Sequence, residues 1–125
     1  MKKIIIFLNG KLGLEILEYL IERDDTSVSA IVINSAQKSK PEYKNQVSQI
    51  LSGRGRDVEI FQFSKNLWDS EEFSKHLNSE IFGISILFGH IFPRYIIDAF
   101  NRKLINLTLI TGLFLLTGLK LLWEE

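Results

Sequence analysis

Asn106 and His90 are the two polar side chains whose positions most suggest chemistry. Asn106 stands between Ile105 and Leu107 in an apolar stretch, where a buried amide needs hydrogen-bond partners. Such an amide is either satisfied by a neighbouring loop or aimed at a carbonyl oxygen that becomes an oxyanion during a reaction. His90 follows an apolar predicted strand, where it either meets a ligand or is an ordinary loop residue. His90 and His76 form no metal-spacing motif, so we expect no metal site.

Other polar stretches could meet phosphate or carboxylate groups. Residues 9–13, "NGKLG", lie between a predicted strand and helix, where glycines let the backbone approach a phosphate. They lack one glycine of the dinucleotide fingerprint, and Asn34 stands where an acidic residue would hold a ribose. A tight turn is therefore favoured over NAD or ATP binding. The basic loops "KSKPEYK" and "GRGR" are favoured as solvated segments over anion sites.

The composition is that of one ordinary globular domain. The 125 residues are 46% hydrophobic and 24% charged, with fifteen basic residues balancing fifteen acidic ones. This balance gives no support to a broad nucleic-acid footprint or an anionic membrane partner. The absence of cysteine excludes disulfides and thiolate zinc sites and fits a cytoplasmic location. The apolar run near the N-terminus is too short for a signal peptide and indicates a strand.

Strands and helices alternate along the chain at short spacing. Apolar and β-branched runs predict strands at 4–8, 28–33, 58–61, 81–88 and 104–107. Helical spacing of apolar residues predicts helices over 11–22, from Pro41, from Asp69 or Ser70, and over 93–100. The alternation predicts an α/β fold with a mostly parallel sheet, flanking helices, and ligands beyond the carboxyl ends of the strands.

Each predicted helix has one apolar face. The residues assigned to these faces are Gly13, Ile16, Leu17, Leu20 and Ile21 in the first helix, Tyr43, Val47, Ile50 and Leu51 in the second, and Ile96, Ile97 and Phe100 in the last. A capping box of Asp69 and Glu72, with a hydrophobic staple of Trp68 and Phe73, predicts the start of the third helix. His76, among polar neighbours in that helix, is interpreted as solvent-facing.

Three stretches carry a resemblance to a known family. They are "GRDVEIFQFSKNLWDSEEFSKHL", "IFGISILFGHIFPRYIIDAF" and "LINL". With the order of elements, they make residues 1–107 resemble the amino-terminal catalytic domain of the folate-dependent formyltransferases, such as methionyl-tRNA, glycinamide ribonucleotide and sugar N-formyltransferases. The most specific parts are the Gly-x-Ile-x-Pro turn of Gly89, Ile91 and Pro93 and the strand at 105–107.

The resemblance implies a Rossmann-like domain that transfers a formyl group from 10-formyltetrahydrofolate to an amine. The residues whose backbone groups would hold the pterin are Phe88, Gly89, His90, Ile91 and Phe92. The family's catalytic trio is Asn, His and Asp, and Asn106 matches the asparagine. In such a trio the amide and an imidazolium stabilise the oxyanion while the carboxylate orients the histidine.

The family pattern stops after Leu107. Thr108 occupies the position of the histidine, no residue matches the aspartate, and residues 108–125 form a Leu-rich tail unrelated to the pattern. Threonine cannot supply the basicity of an imidazole, so we expect a domain incomplete at its C-terminus with little catalysis. A frameshift or premature stop explains the switch and predicts a histidine and a Leu-Pro in another reading frame. The alternatives for the tail are a membrane anchor, which Lys120 weakens, and packing against the sheet.

The acceptor amine is expected to be small, for example an amino sugar on a nucleotide. Methionyl-tRNA is less favoured because the neutral chain gives no tRNA footprint and lacks the arginine-rich glycine loop of the tRNA enzymes. The alternative class is a non-catalytic protein whose apolar tail docks on a partner, pairs two copies or enters a membrane. A NAD-binding module is the third hypothesis, disfavoured by the incomplete fingerprint.

Overall fold

In a computed structural model of the chain, five parallel strands form one sheet with helices on both faces. The structure describes residues 2–37, 40–52, 58–101 and 103–107. The strands are β1 (Lys2–Leu8), β2 (Thr26–Ile33), β3 (Glu59–Gln62), β4 (Phe82–Ile86) and β5 (Leu104–Leu107). The helices are α1 (Gly10–Glu22), α2 (Pro41–Leu51), α3 (Glu71–Ser74) and α4 (Arg94–Ala99), with short 3-10 helices at Ser35–Gln37 and Lys65–Asp69. The predicted α/β, Rossmann-like fold class is confirmed.

The strand order is β3-β2-β1-β4-β5, and every neighbouring pair is parallel. The chain runs from β1 outward through β2 to β3 and then crosses to the other side of β1 for β4 and β5. Strand order therefore reverses between β1 and β4. In open parallel sheets, ligands bind outside the carboxyl ends of the strands at such a reversal. The fold thus directs attention to the segments after β1 and β4.

The core has two layers because side chains of the central strand alternate between faces. Ile4, Ile6 and Leu8 of β1 face α1 and α2, whereas Ile5 and Phe7 face the other layer with α4. Burial on both faces accounts for the continuous apolar run of this strand. The buried residues of α1 are the five predicted from its helical spacing.

Tyr43 ties α2 to the turn between β1 and α1. Its hydroxyl donates to the carbonyl oxygen of Gly10 at 2.8 Å, and the side chain is 6% exposed. Gly13 permits this approach, since a Cβ there would lie 3.2 Å from the Tyr43 oxygen. The first turn of α1 is therefore held by a side chain from the next helix.

The Tyr43 hydroxyl should make stability fall at alkaline pH. Burial raises its pKa from 10.0 to about 12, so between those values the unfolded chain loses the proton while the folded chain keeps it. The free energy of unfolding then falls as pH rises, by about 2 kcal/mol across that window. The Tyr43→Phe variant should start about 1 kcal/mol less stable at pH 7, through loss of the bond to Gly10, and lack this decline.

Urea unfolding of both proteins from pH 8 to pH 12 measures this difference. We expect the stability advantage of the wild type to shrink above pH 10 and then reverse. A constant difference across the series would contradict the assigned role of the buried phenol.

The start of the third helix differs from the prediction by one residue. Ser70 is the N-cap, and its Oγ accepts from the backbone N–H of Phe73 at 3.4 Å. Asp69 ends the preceding 3-10 helix, and its carboxylate accepts from the Tyr95 hydroxyl at 3.1 Å. The capping box predicted at Asp69 is therefore wrong, because that carboxylate is engaged by α4 instead of by the start of α3.

His76 fastens the segment after α3 to β3. Its side chain is 15% exposed, and its Nε2 lies 3.0 Å from a carboxylate oxygen of Glu59. Lys75 contacts the same oxygen at 2.8 Å, and the hydrogen bonds from Lys75 and His76 lower the pKa of Glu59. The prediction that His76 faces solvent is wrong, because the neighbouring strand supplies a partner absent from its local sequence.

Other helix faces match the predictions in part. Ile96 and Phe100 are buried, but Ile97 is 38% exposed. Ile50 and Leu51 of α2 are only half-buried against the core. Within the described ranges, no helix combines the length and apolar character needed to cross a membrane. The interpretations of the tail concern residues 108–125, which lie outside those ranges.

Candidate functional site

The loop after β4, residues 87–92, is held by side chains from the ends of two other strands. Asn9, directly after β1, donates from Nδ2 to the carbonyl of Leu87 at 2.8 Å. Asn34, directly after β2, donates from Nδ2 to the carbonyl of Phe88. The path of the loop at the strand-order reversal is therefore fixed jointly by β1, β2 and β4.

The same two amides are tied to the 3-10 helix that follows β2. Gln37 donates from Nε2 to the Oδ1 of Asn9 at 3.0 Å, and the backbone N–H of Ala36 donates to the Oδ1 of Asn34 at 2.7 Å. Asn34 is 5% exposed. Because each amide uses both its donor and its acceptor side, the orientation of each is determined.

The loop backbone is built to leave its polar groups available. Leu87 and Gly89 both have positive φ, 51° and 75°. A Cβ at Gly89 would meet nothing within 4 Å, so the backbone conformation and not packing favours glycine there. Among the described residues, no hydrogen bond engages the N–H groups of residues 88–92 or the carbonyls of residues 89–92. The loop therefore offers neighbouring donors and acceptors to a ligand.

Aromatic side chains anchor this loop to the core. Phe88 is 1% exposed, and its ring lies 5.3 Å from that of Phe7. Phe92 lies 4.9 Å from the Phe7 ring and 5.2 Å from that of Trp68. The loop thus combines backbone groups that have no partner in the described part of the chain with side chains that cannot easily shift.

His90, in the loop after β4, is held by contacts with Phe63 and Ser35. Its ring stacks on Phe63 with centroids 4.1 Å apart and an interplanar angle of 30°. Its Nε2 lies 3.0 Å from the Oγ of Ser35. These contacts fix the imidazole between the ends of β2 and β3 and the loop after β4.

A cavity of about 590 Å³ lies between this loop and β5. The described residues that line it are His90, Ile91, Phe92, Ile97, Leu104 and Asn106. Its size falls within the range of about 300–1,000 Å³ typical of small-molecule sites. Three of the five predicted cofactor-binding residues and the predicted catalytic residue therefore line one cavity. Phe88 and Gly89 contribute through the loop without lining it.

Asn106 is exposed, and the prediction of a buried amide in the fifth strand is wrong. The reason is that β5 pairs with β4 and forms the edge of the described sheet. Among the described residues, its amide has no hydrogen-bond partner. The amide is thus accessible from the cavity, as binding to a carbonyl would require.

Among the described residues, the remaining predicted features give no competing site at this edge of the sheet. The "GRGR" stretch and residues 38–39 of "KSKPEYK" lie outside the described ranges. The "NGKLG" stretch forms a tight strand-to-helix turn, with Asn9 as N-cap and α1 beginning at Gly10. A second cavity of about 450 Å³ lies between α1 and α2 and contains none of the predicted site residues. Within the described part of the chain, no group of three or more His, Asp or Glu side chains could hold a metal ion.

Sequence reasoning missed the role of Asn9 and Asn34 in shaping the site. Each asparagine directly follows a buried strand on the side where parallel sheets bind ligands. That shared position was the available signal. The fold and site together define a Rossmann-like α/β domain with a ligand-sized cavity at the carboxyl edge of its sheet. No model of a protein family matches the chain, and no curated protein or solved structure matches it either.

Proposed function

We propose that this chain is a formyltransferase-like domain that binds 10-formyltetrahydrofolate in the cavity between residues 88–92 and β5. The observation that carries the proposal is the convergence of His90, Ile91 and Phe92 with Asn106 on one cavity. These residues come from segments separated along the chain, and the sequence resemblance assigns them to the same ligand.

The N–H groups of residues 88–92 and the carbonyls of residues 89–92, which have no partner among the described residues, can pair with the edge of a pterin. The edge of a pterin alternates hydrogen-bond donors and acceptors, and the loop presents both kinds of group without internal partners among the described residues. Ile91, which is 91% exposed, and half-buried Phe92 supply apolar surface for the flat ring. This combination of a few fixed polar groups with apolar walls is typical of cofactor sites.

The amide of Asn106 can donate a hydrogen bond to the oxygen of the formyl group. In formyl transfer, an amine nitrogen attacks the formyl carbon, and the carbonyl oxygen becomes negatively charged. An N–H donor aimed at that oxygen stabilises the charge. The exposed amide of Asn106, which has no partner among the described residues, can provide this donor from the cavity wall. The proposed acceptor is a small amine, such as an amino sugar on a nucleotide, in the cytoplasm. Thr108 replaces the family's histidine, so we propose folate binding with at most slow transfer.

Calorimetric titration with 5-formyltetrahydrofolate, a stable folate analogue, tests this proposal. We expect micromolar binding by the wild type and at least tenfold weaker binding by Ile91→Asp. The new carboxylate would stand where the apolar ring binds, while substitution of so exposed a residue should change stability by only about 0.5 kcal/mol.

The matched control is Gln49→Asp, which places the same charge at the cavity between α1 and α2. Its affinity should equal that of the wild type. Absence of binding by the folded wild type, or equal binding by Ile91→Asp, would contradict the proposed site.

A further inference from the structure

Ser85 of β4 carries a buried hydroxyl without a hydrogen-bond partner. The residue is 1% exposed, and its Oγ is the buried side-chain polar atom that lacks a partner in the described part of the chain. Buried hydroxyls are normally satisfied, because an unpaired one has lost its contact with water. Alanine at this position would avoid the free-energy cost of burying an unpaired hydroxyl. The hydroxyl therefore calls for an explanation other than packing.

The residue beside Ser85 in the sheet is Asn106. The two are paired in the β4–β5 register, and Phe7 is paired with Ser85 on the other side. Paired residues in parallel strands point to the same face, and adjacent strands lie about 4.8 Å apart. Asn106 lines the cavity and has no side-chain partner among the described residues. Two polar side chains that have no side-chain partner among the described residues are thus neighbours in the sheet, and one of them, Asn106, lines the cavity.

We propose that Ser85 is a positioning residue for Asn106. In this arrangement its hydroxyl donates to the Oδ1 of Asn106, the neighbouring residue in the β4–β5 register, and leaves Nδ2 to donate into the cavity. Without this bond the amide can turn over and present its oxygen to the formyl oxygen, which repels it. The bond selects the donor orientation that a carbonyl ligand needs. This inference rests on the proposed function.

Two folate analogues that differ only in the formyl group test the consequence for ligand binding. The probes are 10-formyl-5,8-dideazafolate and 5,8-dideazafolate, and the measured quantity is the ratio of their Kd values. We expect the wild type to favour the formyl compound about tenfold, the size of one hydrogen bond. Ser85→Ala should reduce the preference to about threefold, and Ser85→Thr, which keeps the hydroxyl, should restore it.

A structural role of Ser85 would change the affinity for both probes and leave their ratio intact. An unchanged ratio in Ser85→Ala would therefore overturn the proposal. Asn106→Ala provides the reference, because it should abolish the preference altogether.

The side-chain amide resonances of Asn106 in the unliganded, 15N-labelled protein give a readout that does not depend on folate. They should shift in Ser85→Ala and return in Ser85→Thr. Unchanged resonances would overturn the proposed bond. If neither probe binds, the proposed function fails, while these resonances still decide whether Ser85 orients Asn106.

Discussion

Replacing Phe7 with alanine is expected to lower the free energy of unfolding by about 4 kcal/mol. The side chain is 0% exposed on the central strand. Its ring lies between 4.9 and 6.2 Å from those of Trp68, Phe73, Phe88, Phe92 and Phe100. Truncation removes a large apolar surface and leaves a cavity that rigid rings cannot readily fill.

Urea unfolding monitored by circular dichroism measures this loss. Phe7→Leu keeps most of the apolar volume and should cost only about 1–1.5 kcal/mol. A loss below about 2 kcal/mol for Phe7→Ala would mean that the aromatic layer repacks freely, contrary to the tight core described above.

The same substitution should weaken folate binding through the loop after β4. Phe7 contacts Phe88 and Phe92 of that loop, whereas the rings that Phe73 contacts are Phe7, Phe61 and Trp68. Phe73→Ala is therefore a matched control, with a similar loss of stability but a smaller loss of affinity. Equal affinity losses in conditions where both variants are folded would contradict direct support of the loop by Phe7.

Replacing Asn34 with alanine is expected to cost about 3 kcal/mol of stability. The amide is 5% exposed, donates to the carbonyl of Phe88 and accepts from the N–H of Ala36. Truncation leaves the carbonyl of buried Phe88 and the N–H of exposed Ala36 without these partners, and a buried unsatisfied group alone costs about 1–3 kcal/mol. Folate binding should be lost as well, because the hydrogen bond from Asn34 to the carbonyl of Phe88 no longer fixes the start of the loop.

The Asn34→Asp variant tests the Nδ2 donor alone, because it keeps the size of the side chain and removes the donor to the carbonyl of Phe88. The carboxylate keeps the acceptor for Ala36 but places negative charge against the carbonyl of Phe88. At neutral pH it should be at least as destabilising as alanine, and stability should recover at acidic pH, where the protonated acid can donate. Stability equal to the wild type at neutral pH would show that the amide does not hold the loop.

The sequence predicted the layers of the fold well because apolar spacing reports burial directly. The continuous run at 4–8 indicated a strand covered on both faces, and α1 buries the predicted residues Gly13, Ile16, Leu17, Leu20 and Ile21. Predictions were wrong where a residue's environment is set by neighbours distant in the chain. The exposure of Asn106 depends on β5 lying at the edge of the described sheet, and the partial burial of His76 accompanies its contact with Glu59 of β3.

The sequence predicted some residues of the candidate site but not the hydrogen bonds that shape its loop. Sequence resemblance and the rule for parallel sheets pointed to residues 88–92 and Asn106, and of these His90, Ile91, Phe92 and Asn106 line one cavity. The hydrogen bonds that shape the loop join Asn9 to Leu87 and Asn34 to Phe88 across 78 and 54 residues. No local periodicity reports such pairs, because they form only when strand order places the ends of β1, β2 and β4 together.

Nuclear magnetic resonance titration of the 15N-labelled chain with 5-formyltetrahydrofolate tests the proposed site most directly. We expect the largest chemical-shift changes at the backbone amides of residues 88–92 and at the side-chain amide of Asn106. These backbone amides have no partner among the described residues, and Asn106 lines the cavity beside β5. Changes confined to the cavity between α1 and α2, or a folded protein whose spectrum does not change, would contradict folate binding at this site.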